Sequence, residues 1–165
     1  EVPCDLHVHD LKGGAFELPG FRVRAALVCH PGPTVGYRFE AAAGSLAYLP
    51  DHEPFLACRQ FAESPEWCSG LEIAADVDVL IHDAQYTEAE YADRVGWGHS
   101  TLDHALAFAR LARVEELVAF HHDPAHGDQA LDDLFARAAA RRHEAFTLRA
   151  AREGQTFEVG EPAHT

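Results

Sequence analysis

The chain has no methionine, not even at its first position, and opens on Glu1-Val2-Pro3-Cys4. It falls at once into strand-like alternation, so it reads as starting in mid-protein, and the lack of a signal peptide carries no information about the parent's address. Basic residues are scarce: Lys plus Arg number 13 against 27 Asp plus Glu, for a net charge of -14. Such a surface repels polyanions, and Arg141-Arg142 is the longest basic run, so nucleic acid is an unexpected partner. No apolar run is long enough to cross a bilayer, which excludes a membrane-spanning helix within these residues. Cys4, Cys29, Cys58 and Cys68 form no CxxC pair and no zinc-finger spacing, which fits reduced thiols in a cytoplasmic protein. No internal repeat, low-complexity tract or linker interrupts the 165 residues, so a single domain is expected.

An apolar fraction of 47% and 10% aromatics mark a globular chain with a real core. The histidines are its most informative feature: there are 12, and several stand where a strand stops. Residues 2–9 alternate like a strand, with His7 and His9 on one face. That pair suits either a solvent-facing strand edge or metal chelation. Phe21, Val23, Ala25, Leu27 and Cys29 share one face of a second strand, which His30-Pro31-Gly32-Pro33 terminates because proline lacks the N–H for a ladder. His30 there is a turn residue or a ligand.

Residues 35–40 and 45–49 read as a hairpin ending in Pro50-Asp51-His52-Glu53-Pro54. An Asx-type turn and a metal-bridging carboxylate are equally compatible with that cluster. Residues 55–75 carry two weaker helical patches, with Ser64-Pro65-Glu66 as a cap and Trp67 and Cys68 as packing residues. Residues 77–81 form a continuous apolar strand, as expected where both faces are covered, and deliver His82 and Asp83 at its end. A short helix near residues 88–93 follows, then Gly96-Trp97-Gly98-His99, a loop whose glycines let its backbone approach a ligand. Ser100 or Thr101 caps a helix with stripe Leu102, Ala105, Leu106 and Ala109, leaving His104 on the surface. The strand over residues 117–120 runs into His121-His122-Asp123-Pro124. Beyond about Gly127 the chain reads as scaffold: a helix with stripe Leu131, Leu134, Phe135 and Ala138, then a hairpin of residues 145–148 and 156–159 turning at Glu153-Gly154.

Taken together, His30 followed by Gly36-Tyr37-Arg38, Asp51 twenty-one residues after His30, LIHDAQYT, GHST and LVAFHHDP keep an order that resembles the second half of a metallo-β-lactamase-fold hydrolase. They are most similar to the phosphodiesterase branch that includes ribonuclease Z and the phosphoribosyl cyclic phosphate phosphodiesterases. The resemblance spans roughly residues 22–135. It implies an α/β fold, the αββα sandwich, mainly its second half, with a two-metal site on one edge holding zinc (Zn2+) or manganese (Mn2+). On that footing His30 binds one metal, Asp51 bridges both and His121 binds the second, while His99 donates to the scissile phosphate or leaving oxygen and Asp83 fixes its tautomer. The implied function is hydrolysis of a small or cyclic phosphodiester by a two-metal-activated hydroxide. A lactone or thioester hydrolase, or a non-catalytic binding module, are the alternatives, since one fold hosts many reactions.

The family's H-x-H-x-D-H motif is absent, because Asp10 follows His9 directly and Leu11 and Lys12 come next. Three of about seven expected ligands remain. The chain by itself is therefore expected to bind metal weakly and to do little chemistry. Its open sheet face is expected to be completed by an N-terminal segment or by a second copy in a homodimer.

Overall fold

The computed structural model describes residues 13–55, 65–140 and 145–160. His7 and His9 lie outside them. The elements run β1 (Gly14–Leu18), β2 (Phe21–Val28), β3 (Thr34–Ala41), β4 (Gly44–Leu49), a one-turn 3-10 helix (Pro65–Trp67), α1 (Leu71–Ala74), β5 (Val79–Asp83), α2 (Glu88–Tyr91), α3 (Leu102–Ala112), β6 (Glu116–Phe120), α4 (Asp128–Ala140) and β7 (Thr147–Ala150). Seven strands form one sheet in chain order. The first four are antiparallel neighbours; from β4 onward each strand lies parallel to the next, because a helical segment carries the chain back across the sheet between them.

Residues paired across the ladders share a face, which separates two surfaces. Val28, Ala47, Leu49, Leu80, Leu117 and Ala119 point to the helices and join Ile73, Leu102, Ala105, Phe108, Ala109, Ala138 and Phe146 in one core. Burial of Leu or Phe side chains of this kind contributes roughly 1.5–3 kcal/mol each, so this layer holds the fold together. Arg38 reaches across the same face, where its guanidinium donates to the carbonyls of Ile73 (3.2 Å) and Ala75 (2.6 Å) and satisfies the C-terminal end of α1. Tyr37, Phe39, Leu46, Tyr48, Ile81 and Phe120 occupy the opposite face and are only half-buried. One sheet with its helix layer agrees with half of an αββα sandwich.

Several expectations are corrected. Leu27, in phase with Val23 and Ala25, is 71% exposed, whereas Val28 packs inward over Gly36, where a Cβ would come within 2.9 Å of its Cγ1. Trp67 is exposed rather than packed. His104 is buried, because it sits one turn into α3 and meets the Tyr91 ring edge-on at 4.7 Å. The α3 cap, expected at Ser100 or Thr101, is Thr101: its hydroxyl accepts the His104 N–H at 3.0 Å. The expected C-terminal hairpin is instead one strand, β7, parallel to β6, with Leu148 beside Leu117 and Ala150 beside Ala119. Residues 156–159 are not a strand, although Gly154 does make the turn, at φ 75°.

Candidate active site

Parallel strands bring their C-terminal ends to one edge of the sheet, and in open α/β sheets that edge is where ligands bind. Here it collects the two residues after β4 (Pro50-Asp51), the last residue of β5 (Asp83), the residue after β6 (His121), the exit of β2 (His30) and the loop before α3 (His99).

Asp83 is the hub. Its carboxylate is fully buried. Oδ2 accepts from the backbone N–H of His52 at 3.3 Å and lies 2.6 Å from His99 Nδ1 and 3.4 Å from His121 Nδ1; Oδ1 accepts the N–H groups of Gln85 (3.0 Å) and Ser100 (3.2 Å). Burial pushes its pKa up, but hydrogen bonds from His121 and His99, with the electrostatic attraction of the His99 ring, reverse the sign and hold it below the ordinary carboxylate value. The contact fixes Nδ1 of His99 as a donor and turns Nε2 outward as the free ring atom.

His121 has φ 60°, a left-handed backbone that a non-glycine residue adopts only at a cost in strain. That turn swings its ring to the Asp83 side, where Nε2 lies 3.7 Å from Asp51 Oδ1. The hydrogen bond to Asp83, opposed by partial burial and aided by the charges of Asp83 and Asp51, raises its pKa. His122 goes the other way, edge-on to Phe135 at 5.5 Å, and burial lowers its pKa. Ligand atoms of Asp51, Asp83, His99 and His121 all lie within 4.8 Å of one another. Two imidazoles and two carboxylates at that spacing fit a borderline divalent ion such as zinc or manganese. His30 is outside this group but adjacent, its ring edge-on to His99 at 5.4 Å. Its Nδ1 accepts the Gly32 N–H at 3.1 Å and lies 3.3 Å from the Gly32 carbonyl oxygen, contacts that hold the ring at the strand exit.

Two features escaped the sequence reading. His52 and His82 form a buried pair, Nδ1 of the first 2.9 Å from Nε2 of the second, with His82 Nδ1 donating to the Asp83 carbonyl at 2.7 Å. Since that carbonyl can only accept, His82 Nε2 is the acceptor and His52 Nδ1 the donor, and both rings are neutral. Burial drives both pKa values down, His82 to about 4. The second is Glu53, a buried carboxylate that accepts the Tyr91 hydroxyl and the N–H groups of Gly96 (2.9 Å) and Gly98 (2.8 Å). Its cluster, Pro50 to Pro54, was compatible with a turn or a metal-bridging carboxylate, and neither reading places Glu53 in the interior. A cavity of about 720 Å³ opens next to His121, walled by Phe120, Leu131, Ala150 and Arg152. Residues beyond Gly127 therefore shape the site's surroundings as well as the scaffold.

The sequence model described as the Beta-lactamase superfamily domain matches residues 1–122, and the chain belongs to that superfamily. Within it the chain resembles the ribonuclease Z-like branch of metallo-β-lactamase-fold proteins. It is 32% identical to Ribonuclease Z of Rippkaea orientalis over 165 residues, which cover 84% of this chain and 51% of that protein. It is 28% identical to Ribonuclease Z of Nocardia farcinica over 176 residues, covering 84% and 56%. The chain thus spans about half the length of these curated relatives. Among solved structures, human tRNase Z, short form, superposes with a TM-score of 0.62 at 20% identity, covering 88% of this chain and 46% of that one. A diphosphatase from the PhnP family gives 0.60 at 23%, covering 96% and 52%. At these identities the structures speak for the fold. Among the described residues no helix is long and apolar enough to cross a membrane.

Proposed function

We propose that the chain carries part of the active site of a metal-dependent phosphodiesterase acting on a small or cyclic phosphodiester. The observation that carries this reading is the His99–Asp83 contact of 2.6 Å, set among donor atoms of Asp51 and His121 that converge within 4.8 Å. His30, Asp51 and His121 would hold divalent ions, zinc or manganese. Bound there, such ions supply Lewis-acid polarisation of a phosphoryl oxygen and a nucleophile at neutral pH. The protein's own part is acid–base chemistry and orientation. Asp83 keeps the His99 Nδ1 proton in place and stays ionised; the acid is the doubly protonated His99 ring, whose Nε2–H donates to the phosphate and releases that proton to the leaving oxygen while Nδ1–H stays hydrogen-bonded to Asp83. The cavity beside His121 is of ordinary small-ligand size and takes the remainder of the substrate.

Relatives named as ribonucleases keep RNA as a competing substrate, while the net charge of -14 favours a small one. The half-buried apolar sheet face is where an N-terminal segment or a second copy would complete the sandwich. Metal content and hydrolysis of bis(p-nitrophenyl) phosphate, measured on this chain and on the product of its full reading frame, test the proposal. The full product is expected to hold about two metals and to cleave the diester. Metal without diester cleavage would move the reading to an acyl hydrolase acting on a lactone or thioester; no metal in either would leave a non-catalytic module.

A further inference from the structure

The loop that presents His99 is held by a second carboxylate that takes no part in the chemistry above. We propose that Glu53 is a positioning residue: it fixes the Gly96–Gly98 backbone and thereby sets where His99 and His30 stand relative to each other. The role assigned to His99 rests on the phosphodiesterase reading; the geometry of the loop does not.

Glu53 is 1% exposed. Its own N–H donates to the Cys29 carbonyl at 3.1 Å, which ties it to the residue preceding His30. Its side chain then crosses to the other loop, where Oε1 accepts from Gly96 N–H at 2.9 Å and from the Tyr91 hydroxyl, and Oε2 accepts from Gly98 N–H at 2.8 Å. A carboxylate is the group that suits three donors, since both oxygens only accept. The glutamine amide would set an N–H against one of those donors.

His99 is thus bracketed. On its C-terminal side Asp83 holds the Ser100 N–H at 3.2 Å, and on its N-terminal side Glu53 holds Gly98. Gly98 has φ 94°, and a Cβ there would fall 2.3 Å from His30 Cδ2 and 2.4 Å from Pro31 Cδ. The loop backbone is therefore pressed against the candidate ligand His30, and one buried residue joins both sides of that contact, Glu53 through its backbone N–H to Cys29 and through its carboxylate to Gly96 and Gly98. A shift of the glycine pair moves His99 and His30 together, and misplacement on that scale is enough to lower a rate while leaving substrate affinity alone.

The test compares wild type with E53Q by NMR and by kinetics. E53Q is expected to lower hydrogen-exchange protection of the Gly96 and Gly98 amides by about 10-fold or more and to shift or broaden the His99 Nδ1–H resonance. In the product of the full reading frame it is also expected to reduce kcat for bis(p-nitrophenyl) phosphate about 10- to 100-fold, with KM and metal stoichiometry unchanged. Y91F removes one donor from the same carboxylate but spares both amide bonds, and should leave the two amides and the His99 resonance as in wild type. If E53Q does not fold, E53D, which keeps the charge but falls one methylene short, is measured instead against the same expectations. An unmoved His99 resonance in E53Q, or equal loss of protection in Y91F, would overturn the proposal. Inactive wild type with the NMR differences intact would count against the phosphodiesterase reading and in favour of this one.

Discussion

A single buried side chain decides whether the site exists. Asp83 serves the N–H groups of His52, Gln85 and Ser100 and the rings of His99 and His121, so it organises three loops at once. Asp83→Asn keeps the shape but replaces one accepting oxygen with an NH2 that faces donors. Because hydrogen bonds to a charged group contribute about 1.5–3 kcal/mol each, D83N is expected to lose roughly 2–4 kcal/mol in urea unfolding, and at least about 100-fold in diester hydrolysis. Wild-type stability in D83N would mean that the hub is an accident of packing. The pairing of Asp83 with His99 came from the family resemblance of LIHDAQYT and GHST; position in the chain showed only that each stands at a structural boundary, a strand end and a glycine-bounded loop. Glu53 was not legible, since a carboxylate between prolines gives the same turn signal whether it points to water or into the interior. His104 misled for a related reason: its spacing from Thr101 says it lies one turn along α3, but only the presence of Tyr91 makes that position an interior one.

At the level of elements, the hairpin of β3 and β4, the apolar body of β5 and the stripe of α3 follow from periodicity alone, because alternation and the 3.6-residue repeat report which residues share a face. Periodicity does not report the partner. β7 was assigned to a local hairpin, yet its inward residues Leu148 and Ala150 find Leu117 and Ala119 of β6, a pairing visible only once the sheet is assembled. Short elements depend on caps, and α2, only four residues long, has a complete capping box. Glu90 accepts the Thr87 N–H (2.8 Å) and hydroxyl (2.7 Å) and pairs with His126 Nε2 at 2.8 Å. Burial raises its pKa, but those hydrogen bonds and the His126 charge outweigh it and bring it down to about 2. A carboxyl with a depressed folded pKa contributes stability that is complete above its unfolded value and lost as pH falls toward the folded one. Glu90→Gln is therefore expected to destabilise by about 1 kcal/mol at pH 7. That difference should hold down to about pH 5 and shrink as the pH drops below the ordinary Glu value near ~4.3. Urea unfolding of both proteins from pH 7 to 3 checks this; a gap that stays constant to pH 3 would refute it.

The molecule as a whole adds a constraint that no residue or element reveals. Its net charge of -14 surrounds a site whose chemistry, on the present reading, attacks an anion. Only local positive charge can offset that field, and on the present reading it would come from divalent ions held by His30, Asp51 and His121. Such local compensation reaches about a Debye length, roughly 8 Å at physiological salt, which is enough for one diester but not for a long polyanion. Nothing on the described surface resembles the Lys/Arg track that a nucleic acid would follow, although the relatives are named for RNA cleavage. The chain is therefore expected to show no saturable binding of a fluorescently labelled 20-nucleotide RNA by anisotropy at about 150 mM salt, and only weak, salt-sensitive binding at about 50 mM. Tight binding at the higher salt, with affinity falling steeply as salt rises, would place several phosphates against the protein at once. RNA would then displace the small diester as the substrate to pursue, and whatever positive surface grips it would have to lie in residues outside those described.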